Sequence, residues 1–441
     1  MLDGAVEGNR QAKITHGAIE MECCGGGSGW RILRGMNERG EERAGESGAD
    51  RCGADGRGAD GRGVDGRVAD GRGADGCGAD GCSADGCGAD GCGADGRGAG
   101  EATLVVSPNW LGDAVMAMPA VRRWRRAHPA ARLVVLAKPG VAPLWETVEG
   151  VDETVRLEPG NRGTFAAGRA LRGRGFAEAV ILPNSFRSAL IPWLARIPRR
   201  RGTAFHARWA LVNDRVRFSA DERRLHQARE DFKIVCGDAS GDTSDTGFKP
   251  PRLDGAALAA LGVPAGGGPL VGVIPGAARG PSKRWPHFAA AARLVAGSVP
   301  GVRFAVCGGA GEAALCGETA RAIGPAAASL AGKTTLPRFA SLLASCDAVL
   351  CNDSGGMHLA SAAGTPVVAV FGRTDPDKTG PIGPGAIIVR ADGVSVSRRI
   401  ARDDPAAVAA LASIAPERVA AACVDALENR NRRSGEGEAS P

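Results

Sequence analysis

Long hydrophobic runs are missing from this sequence. Nowhere in its 441 residues do 18 apolar residues follow one another, whereas a helix that crosses a bilayer needs about 20 of them. The first ten residues are polar and lack the apolar centre of a secretory signal peptide. We therefore expect a cytoplasmic protein with no transmembrane segment, whose only contact with a membrane is peripheral.

Cysteine pairs with metal-binding spacing are missing after residue 100. Seven of the 13 cysteines lie in the first hundred residues, and the other six stand singly, without a CxxC pair. These six are Cys236, Cys307, Cys316, Cys346, Cys351 and Cys423. Single cysteines beside Val, Leu and Ala are typical of buried thiols in a reducing compartment, and this pattern argues against zinc.

Blocks of one charge sign are also absent. The formal net charge is +6 and the isoelectric point is about 8.7, with no long basic arm. A mild positive charge fits a protein that handles anions, such as nucleotide diphosphates or an anionic membrane surface. It does not predict nucleic-acid binding.

The first hundred residues differ in composition from the rest. From Gly48 to Gly100 the chain repeats five-residue units such as GADGR and GADGC. Ala and an occasional Val are the only apolar side chains of these units, so ordering them buries little surface. We predict a disordered low-complexity tail over residues 1–100; the alternative is calcium binding by the repeated Asp residues.

After residue 100 apolar strands alternate with helical patterns, which predicts parallel α/β sheets. The predicted strands are Leu104–Val106, Leu133–Ala137, Val180–Leu182, Val271–Ile274, Val302–Cys307, Ala348–Cys351 and Val367–Phe371. The predicted helices are Asp113–Ala127, Pro286–Val295, one that starts near Gly356, and Pro416–Glu428. Gly-, Ser- and Pro-rich stretches at Asp238–Pro251 and Gly262–Pro269 interrupt the alternation as linkers do.

Two Rossmann-like halves joined by a linker describe a GT-B architecture, in which ligands bind in the crevice at the carboxyl ends of the strands. We predict an N-terminal half over residues 101–250 and a C-terminal half over 251–428, followed by a disordered end over 429–441. Polar motifs that directly follow a strand are therefore the candidate site.

The first motif, SPNWLGD, follows the first strand, and Asp113 ends it at the start of a helix. On the residues alone Asp113 is best interpreted as a helix N-cap. The functional alternative is a general base that faces the crevice, because a carboxylate can accept the proton of an attacking hydroxyl.

The second motif, PGAARGPSKRWP, follows the first strand of the C-terminal half. Its small residues, among them Gly276 and Ser282, leave backbone N–H groups open to a diphosphate at a helix start. Lys283 can neutralise charge that develops on a leaving phosphate. A solvated loop with surface cations is the alternative.

The third motif, CNDSGGMH, follows the strand Ala348–Cys351 and opens a helix. Asp353, Ser354 and Gly355 lie where free N–H groups point outward, and His358 follows one turn later. Simple capping by Asp353 or Ser354, and a structural role for His358, are the alternatives.

The fourth motif, LPNSFRSAL, ends a strand of the N-terminal half. Its Asn184, Ser185 and Arg187 are candidates for binding a polyol or a phosphate. Each of these residues is weak support when taken alone.

Taken together, these motifs resemble glycosyltransferase family 9 in the same order over roughly residues 102–428. NWLGDAVMAMPAVR is similar to the family's opening motif, and PGAARGPSKRWP to its PGAxxGPAKRWP loop. LCNDSGGMHLASAAGTPVVAVFG is similar to its donor-site block, and LPNSFRSAL to the signature of its type II heptosyltransferases.

The resemblance implies an inverting transfer of L-glycero-D-manno-heptose from ADP-heptose to the first inner-core heptose of Kdo2–lipid A, without metal or cofactor. It implies that Asp113 is the base and that Lys283 contacts the donor diphosphate. Asp353, Ser354, Gly355 and His358 match donor-binding positions, and Glu312 matches the acidic residue that binds the donor ribose. Peripheral contact with the inner leaflet of the inner membrane follows from a lipid-linked acceptor.

The sequence departs from the family in three features. The N-terminal tail has no counterpart, Asp238–Lys249 is loop-like, and tyrosine is absent, so any contact that relatives make through Tyr is replaced or lost. Three alternatives remain: another family 9 transferase with a type I acceptor or a different sugar, a GT-B sugar-nucleotide epimerase, and a non-enzymatic sugar-nucleotide-binding protein.

Overall fold

The structure is a computed structural model that describes residues 102–205, 208–397 and 400–438, together with three strands nearer the N-terminus. Its contacts divide the chain into two units, Met1–Gly86 and Cys87–Pro441. In the first unit the strands β1 (Lys13–His16), β2 (Ile19–Cys23) and β3 (Trp30–Gly35) form an antiparallel sheet in that order. The sequence did not predict these strands. The repeats from Gly48 to Gly100 lie outside the described residues, so their disorder stays a prediction.

The second unit begins with a six-stranded parallel sheet in the order β6-β5-β4-β7-β8-β9. Its strands are β4 (Ala102–Val106), β5 (Arg132–Ala137), β6 (Glu153–Arg156), β7 (Phe176–Ile181), β8 (Arg199–Gly202) and β9 (Asp214–Arg215). Its helices are α1 (Leu111–Ala127), α2 (Ala142–Trp145), α3 (Gly160–Leu171), α4 (Phe186–Leu194) and α5 (Gln227–Cys236).

A second six-stranded parallel sheet follows in the order β12-β11-β10-β13-β14-β15. Its strands are β10 (Leu270–Ile274), β11 (Arg303–Val306), β12 (Ala327–Ser329), β13 (Ala348–Asn352), β14 (Val367–Phe371) and β15 (Ile387–Arg390). The helices around it are α6 (Gly255–Leu261), α7 (Phe288–Ser298), α8 (Ala313–Ile323), α9 (Leu336–Ser345), α10 (Gly355–Ala362), α11 (Pro376–Thr379), α12 (Pro405–Ala412) and α13 (Pro416–Glu438).

The apolar runs found in the sequence form the central strands. Every residue of β4, β10, β13 and β14 is buried, as expected for parallel strands covered by helices on both faces. Among the residues that the structure describes, no single helix is long and apolar enough to span a bilayer, although the bent pair α12 and α13 meets the criteria of length and composition.

Register brings the ends of neighbouring strands to the same edge of each sheet. In the first sheet Val106 pairs with Leu136 on one side and with Ile181 on the other. In the second sheet Ile274 pairs with Cys351. In each sheet the chain order reverses at the first strand, β4 or β10, which is where open α/β sheets form their ligand crevice.

Glycines let the two halves pack closely. A methyl group at Gly112, on α1, would lie 2.7 Å from Cδ2 of His358 on α10, and one at Gly355 would lie 3.0 Å from Cβ of Leu111. One hydrophobic cluster contains buried residues of both halves, among them Val115 and Leu359. The first turns of α1 and α10 are thereby fixed against each other.

Several helix ends differ from the prediction, and α7 spans Phe288–Ser298 rather than Pro286–Val295. Helix α1 begins at Leu111, before Asp113, and α13 runs to Glu438, beyond the predicted end at Glu428. No proline interrupts α13 after Glu428, so the helix continues although Gly435 and Gly437 disfavour its last turns. Residues 238–254, all described, contain no helix or strand apart from an isolated bridge at Phe248.

Candidate active site

A cavity of about 440 Å³ lies between the two halves, at the carboxyl ends of their strands. The first half contributes the N-terminus of α1 and the first turn of α5. The second half contributes the loop after β10, the N-terminus of α10 and helix α11. Seven predicted site residues line the cavity: Asp113, Ser282, Lys283, Asp353, Ser354, Gly355 and His358.

Asp113 lies in the first turn of α1, and its interpretation as the helix cap was wrong. The residue at the N-cap is Trp110, which makes no side-chain capping bond, so Asp113 is the third residue of the helix. Its partly exposed carboxyl group lines the cavity beside the Gln227 side chain. The carboxylate therefore points into the crevice rather than toward the backbone N–H groups of its own helix.

Burial raises the pKa of Asp113 above its ordinary value of 3.8. The Gln227 side chain and the positive charges of Arg279 and Lys283 act in the opposite direction. A raised pKa makes the carboxylate a stronger base, which suits it to accept a proton.

Lys283 lies across the cavity and is held by an acid. It is the last residue of a short 3-10 helix, Pro281–Lys283, and its Nζ atom lies 2.5 Å from Oδ2 of Asp353. The Asp353 side chain is 8% exposed and the Lys283 side chain 18%. The two residues, predicted separately as donor-binding, thus form one ion pair in the wall of the cavity.

Asn352 fixes the loop that carries Lys283, and the sequence did not single it out. Its Nδ2 donates to the carbonyl of Pro275 at 2.9 Å, and its Oδ1 accepts from the backbone N–H of Trp285 at 2.9 Å. This fully buried amide therefore ties both ends of the loop to the end of β13.

Gly276 and Glu312 lie against each other outside the cavity lining. A Cβ atom at Gly276 would be 1.9 Å from Oε1 of Glu312, so only glycine leaves room for this carboxylate. Oε2 of Glu312 accepts the backbone N–H of Gly309 at 2.9 Å, which orients the side chain.

Two polar atoms at the N-terminus of α10 have no hydrogen-bond partner among the described residues. These buried atoms are Oγ of Ser354 and Nδ1 of His358. Ser354 is the N-cap of α10 but makes no capping bond with its side chain. Burial lowers the pKa of His358 to about 4, so its ring is neutral at physiological pH. Both groups are available to a ligand in the cavity, since buried polar atoms are otherwise nearly always satisfied.

Asn184, Ser185 and Arg187 are exposed and are not among the residues that line the cavity. Ser185 caps α4, its Oγ accepting the backbone N–H of Ser188 at 3.2 Å, and Arg187 donates to Oδ1 of Asn161 at 3.2 Å. The fully buried Arg208 supports this loop by donating to the carbonyl of Pro183. A role of the three residues in acceptor binding stays a prediction.

A contact between the halves closes one side of the cavity. Nζ of Lys378, on α11, donates to the carbonyl of Leu225 at 2.6 Å and pairs with the carboxylate of Glu230 on α5. Nε2 of His226 donates a hydrogen bond to the carbonyl of Gly380 at 3.0 Å. No sequence motif marks these residues, because the contact depends on how the two halves meet.

Within the described part of the chain, no group of three or more His, Cys, Asp or Glu side chains is arranged to hold a metal ion. The expectation of a metal-independent reaction stays a prediction.

Two Rossmann-like halves, with a carboxylate on one wall of the crevice and a cation-bearing loop on the other, define a GT-B glycosyltransferase. The family model for glycosyltransferase family 9 (heptosyltransferase) matches residues 164–406, and the chain belongs to this family.

The chain matches several relatives over most of their length. The chain is 30% identical over 321 residues to lipopolysaccharide heptosyltransferase 2 of Salmonella typhimurium, a match that covers 65% of this chain and 87% of the relative. It is 31% identical over 340 residues to lipooligosaccharide heptosyltransferase 2 of Haemophilus ducreyi, covering 72% and 96%. The solved structure of the E. coli ADP-heptose LPS heptosyltransferase II is similar with a TM-score of 0.62 and 27% identity, over 75% of this chain and 99% of that one.

Proposed function

We propose that the protein transfers L-glycero-D-manno-heptose from ADP-heptose to the first inner-core heptose of Kdo2–lipid A, with inversion at the anomeric carbon. The observation that carries the proposal is the position of Asp113 across the cavity from Lys283, at the junction of the two halves. The relatives named as heptosyltransferases 2 support the choice of sugar and acceptor.

In the proposed reaction Asp113 accepts the proton of the acceptor hydroxyl while the hydroxyl oxygen attacks the anomeric carbon of the donor. The bond between that carbon and the phosphate oxygen breaks, and its electron pair leaves with ADP. Attack from the side opposite the leaving group inverts the anomeric centre. Lys283 and Arg279 stabilise the negative charge that develops on the diphosphate.

The N-terminus of α10 is the proposed site for the polar groups of the donor. The unpaired Oγ of Ser354 and Nδ1 of His358 offer a hydroxyl and a neutral imidazole, and the first N–H groups of the helix favour a phosphate. Glu312 is proposed to bind ribose hydroxyls from behind Gly276. Because Oγ of Ser354 and Nδ1 of His358 have no hydrogen-bond partner among the described residues, they favour a polar ligand over a hydrophobic one.

We also propose that the protein works on the cytoplasmic face of the inner membrane, because its acceptor is anchored in a lipid. Phe205 and Trp209, which follow β8 in the first half, are 44% and 49% exposed. Exposed aromatic side chains and a net positive charge both favour an anionic membrane surface.

Purified protein incubated with ADP-heptose and defined acceptors tests the proposal. We expect mass spectrometry to show one added heptose on Kdo2–lipid A that already carries one heptose, and none on acceptor without it. Transfer only to the acceptor without heptose would indicate a type I activity. Conversion of the donor in the absence of any acceptor would contradict a transferase and favour an epimerase.

A further inference from the structure

Helix α5 supports the proposed base from the side of the first half. Gln227 is the first residue of α5, and α5 packs along α1, which carries Asp113. Both side chains line the cavity, and the Gln227 side chain lies close enough to the Asp113 carboxyl group to lower its pKa. Because α1 and α5 belong to the same half, this proximity does not depend on groups from the second half.

We propose that Gln227 is the positioning residue of the general base: its side-chain amide N–H donates to one oxygen of the Asp113 carboxylate and turns the other oxygen toward the acceptor hydroxyl. This inference rests on the proposed function of Asp113. An amide suits the task because it donates a hydrogen bond without adding a charge or competing for the proton.

The other groups around Asp113 cannot replace this hydrogen bond. Arg279 and Lys283 act on Asp113 through their charge, from the loop after β10, and Lys283 is already paired with Asp353. From α10, the ring of His358 packs against Gly112 and is neutral at physiological pH.

A buried carboxyl group on α5, that of Asp231, explains why the residue at position 227 has to be a hydrogen-bond donor without charge. Asp231 lies one turn after Gln227 on the same face of the helix, and its buried Oδ2 has no hydrogen-bond partner among the described residues. Burial, and then the charge of Asp113, raise the pKa of Asp231 well above its ordinary value, and the nearby Glu230 adds to this effect. With Asp231 and Glu230 on this helix, another acid at position 227 would oppose ionisation of Asp113.

The substitution Gln227→Met tests the proposal, because it keeps the length of the side chain and removes the donor. A hydrogen bond to a charged group is worth enough to change a rate about tenfold or more. We expect turnover to fall about tenfold, donor affinity to stay unchanged, and the acid limb of the pH–rate profile to move to higher pH. Gln227→Glu should move that limb further, because it places a third acid beside Asp113 on α5.

A double-mutant cycle separates positioning from packing. In an Asp113→Asn background Gln227→Met should have no further effect on turnover, because the group that it positions is gone. Equal effects in both backgrounds would overturn the proposal, and so would a parental pH profile in Gln227→Met. Lys233→Met, on the same helix but paired with Glu222 away from the cavity, is the matched control and should behave like the parent protein.

Carbon-13 NMR of side-chain carboxyl groups provides a readout that does not need activity. The Asp113 signal, assigned by its loss in Asp113→Asn, should titrate at a higher pH in Gln227→Met than in the parent. An unchanged titration would refute the role of Gln227 even if heptose transfer is observed. Absence of heptose transfer by the parent protein, with a shifted titration, would refute the proposed function alone.

Discussion

Replacement of Asp113 by Asn removes a proton acceptor and changes almost nothing else. The two side chains have nearly the same shape, and the amide can still accept the hydrogen bond from Gln227. Loss of a general base commonly lowers a rate by about a hundredfold to ten-thousandfold, which corresponds to about 3 to 5 kcal/mol of activation free energy. We expect a loss of turnover in this range with unchanged affinity for the donor.

The effect on stability should be small and has a predictable sign. Burial raises the folded-state pKa of Asp113 above its unfolded value, so the folded protein binds this proton more tightly. Stability therefore falls as pH rises from the unfolded pKa through the folded pKa, because burial of the ionised carboxylate costs free energy. Against this, a charge in the first turn of a helix gains about 0.3 to 1 kcal/mol. These opposing effects predict a melting temperature close to the parental value.

The assay is heptose transfer measured over a range of pH, with donor affinity and thermal melting measured on the same preparations. In Asp113→Asn the acid limb that Asp113 causes in the parent should disappear together with most of the turnover. Transfer within a few-fold of the parent would refute the assignment of the base. A parallel loss of donor affinity would show that Asp113 shapes the crevice instead.

Three further predictions follow from the site and the tail. Lys283→Ala should lower turnover about a hundredfold, since removal of one preorganised charge costs about 3 kcal/mol; steady-state rates within a few-fold of the parent would contradict it. Gly276→Ala should raise the KM for the donor about tenfold, because the new methyl group would lie 1.9 Å from Oε1 of Glu312 and displace this carboxylate. An unchanged KM would show that Glu312 does not bind the donor. A shortened protein that begins at Glu101 should keep its fold and activity, and the amides of the repeats from Gly48 to Gly100 should exchange hydrogen without protection in the full chain; protection of the repeats, or a calcium-dependent spectral change, would contradict the predicted disorder.

Local sequence patterns predicted the central strands and seven of the residues that line the cavity. The runs that form β4, β10, β13 and β14 are continuous and apolar, and the motifs that follow them occupy the strand ends. Strands such as β8, with the sequence RRRG, were missed because their residues are half-buried and charged. Apolar periodicity carries no signal for such a strand.

Contacts between distant segments could not be predicted from the sequence. Gln227 approaches Asp113 only because α5 packs on α1, and Lys378 reaches Glu230 only because the two halves meet. The interpretation of Asp113 as a cap failed for a smaller reason, since the helix begins two residues earlier than the pattern suggested. The pairing of Lys283 with Asp353 was likewise invisible, although both residues were named.

Because Lys283 is paired with Asp353, two different cations attract an anionic ligand at long range and at contact. At rest the pair is almost neutral, so it contributes little field outside the cavity. Arg279 is exposed and has no ion pair with any described residue, so its charge extends into solvent, where dissolved salt screens it over about 10 Å. Ionic strength should accordingly slow the arrival of an anionic ligand through Arg279, whereas its residence in the cavity, governed by Lys283 at contact, should be much less sensitive to salt.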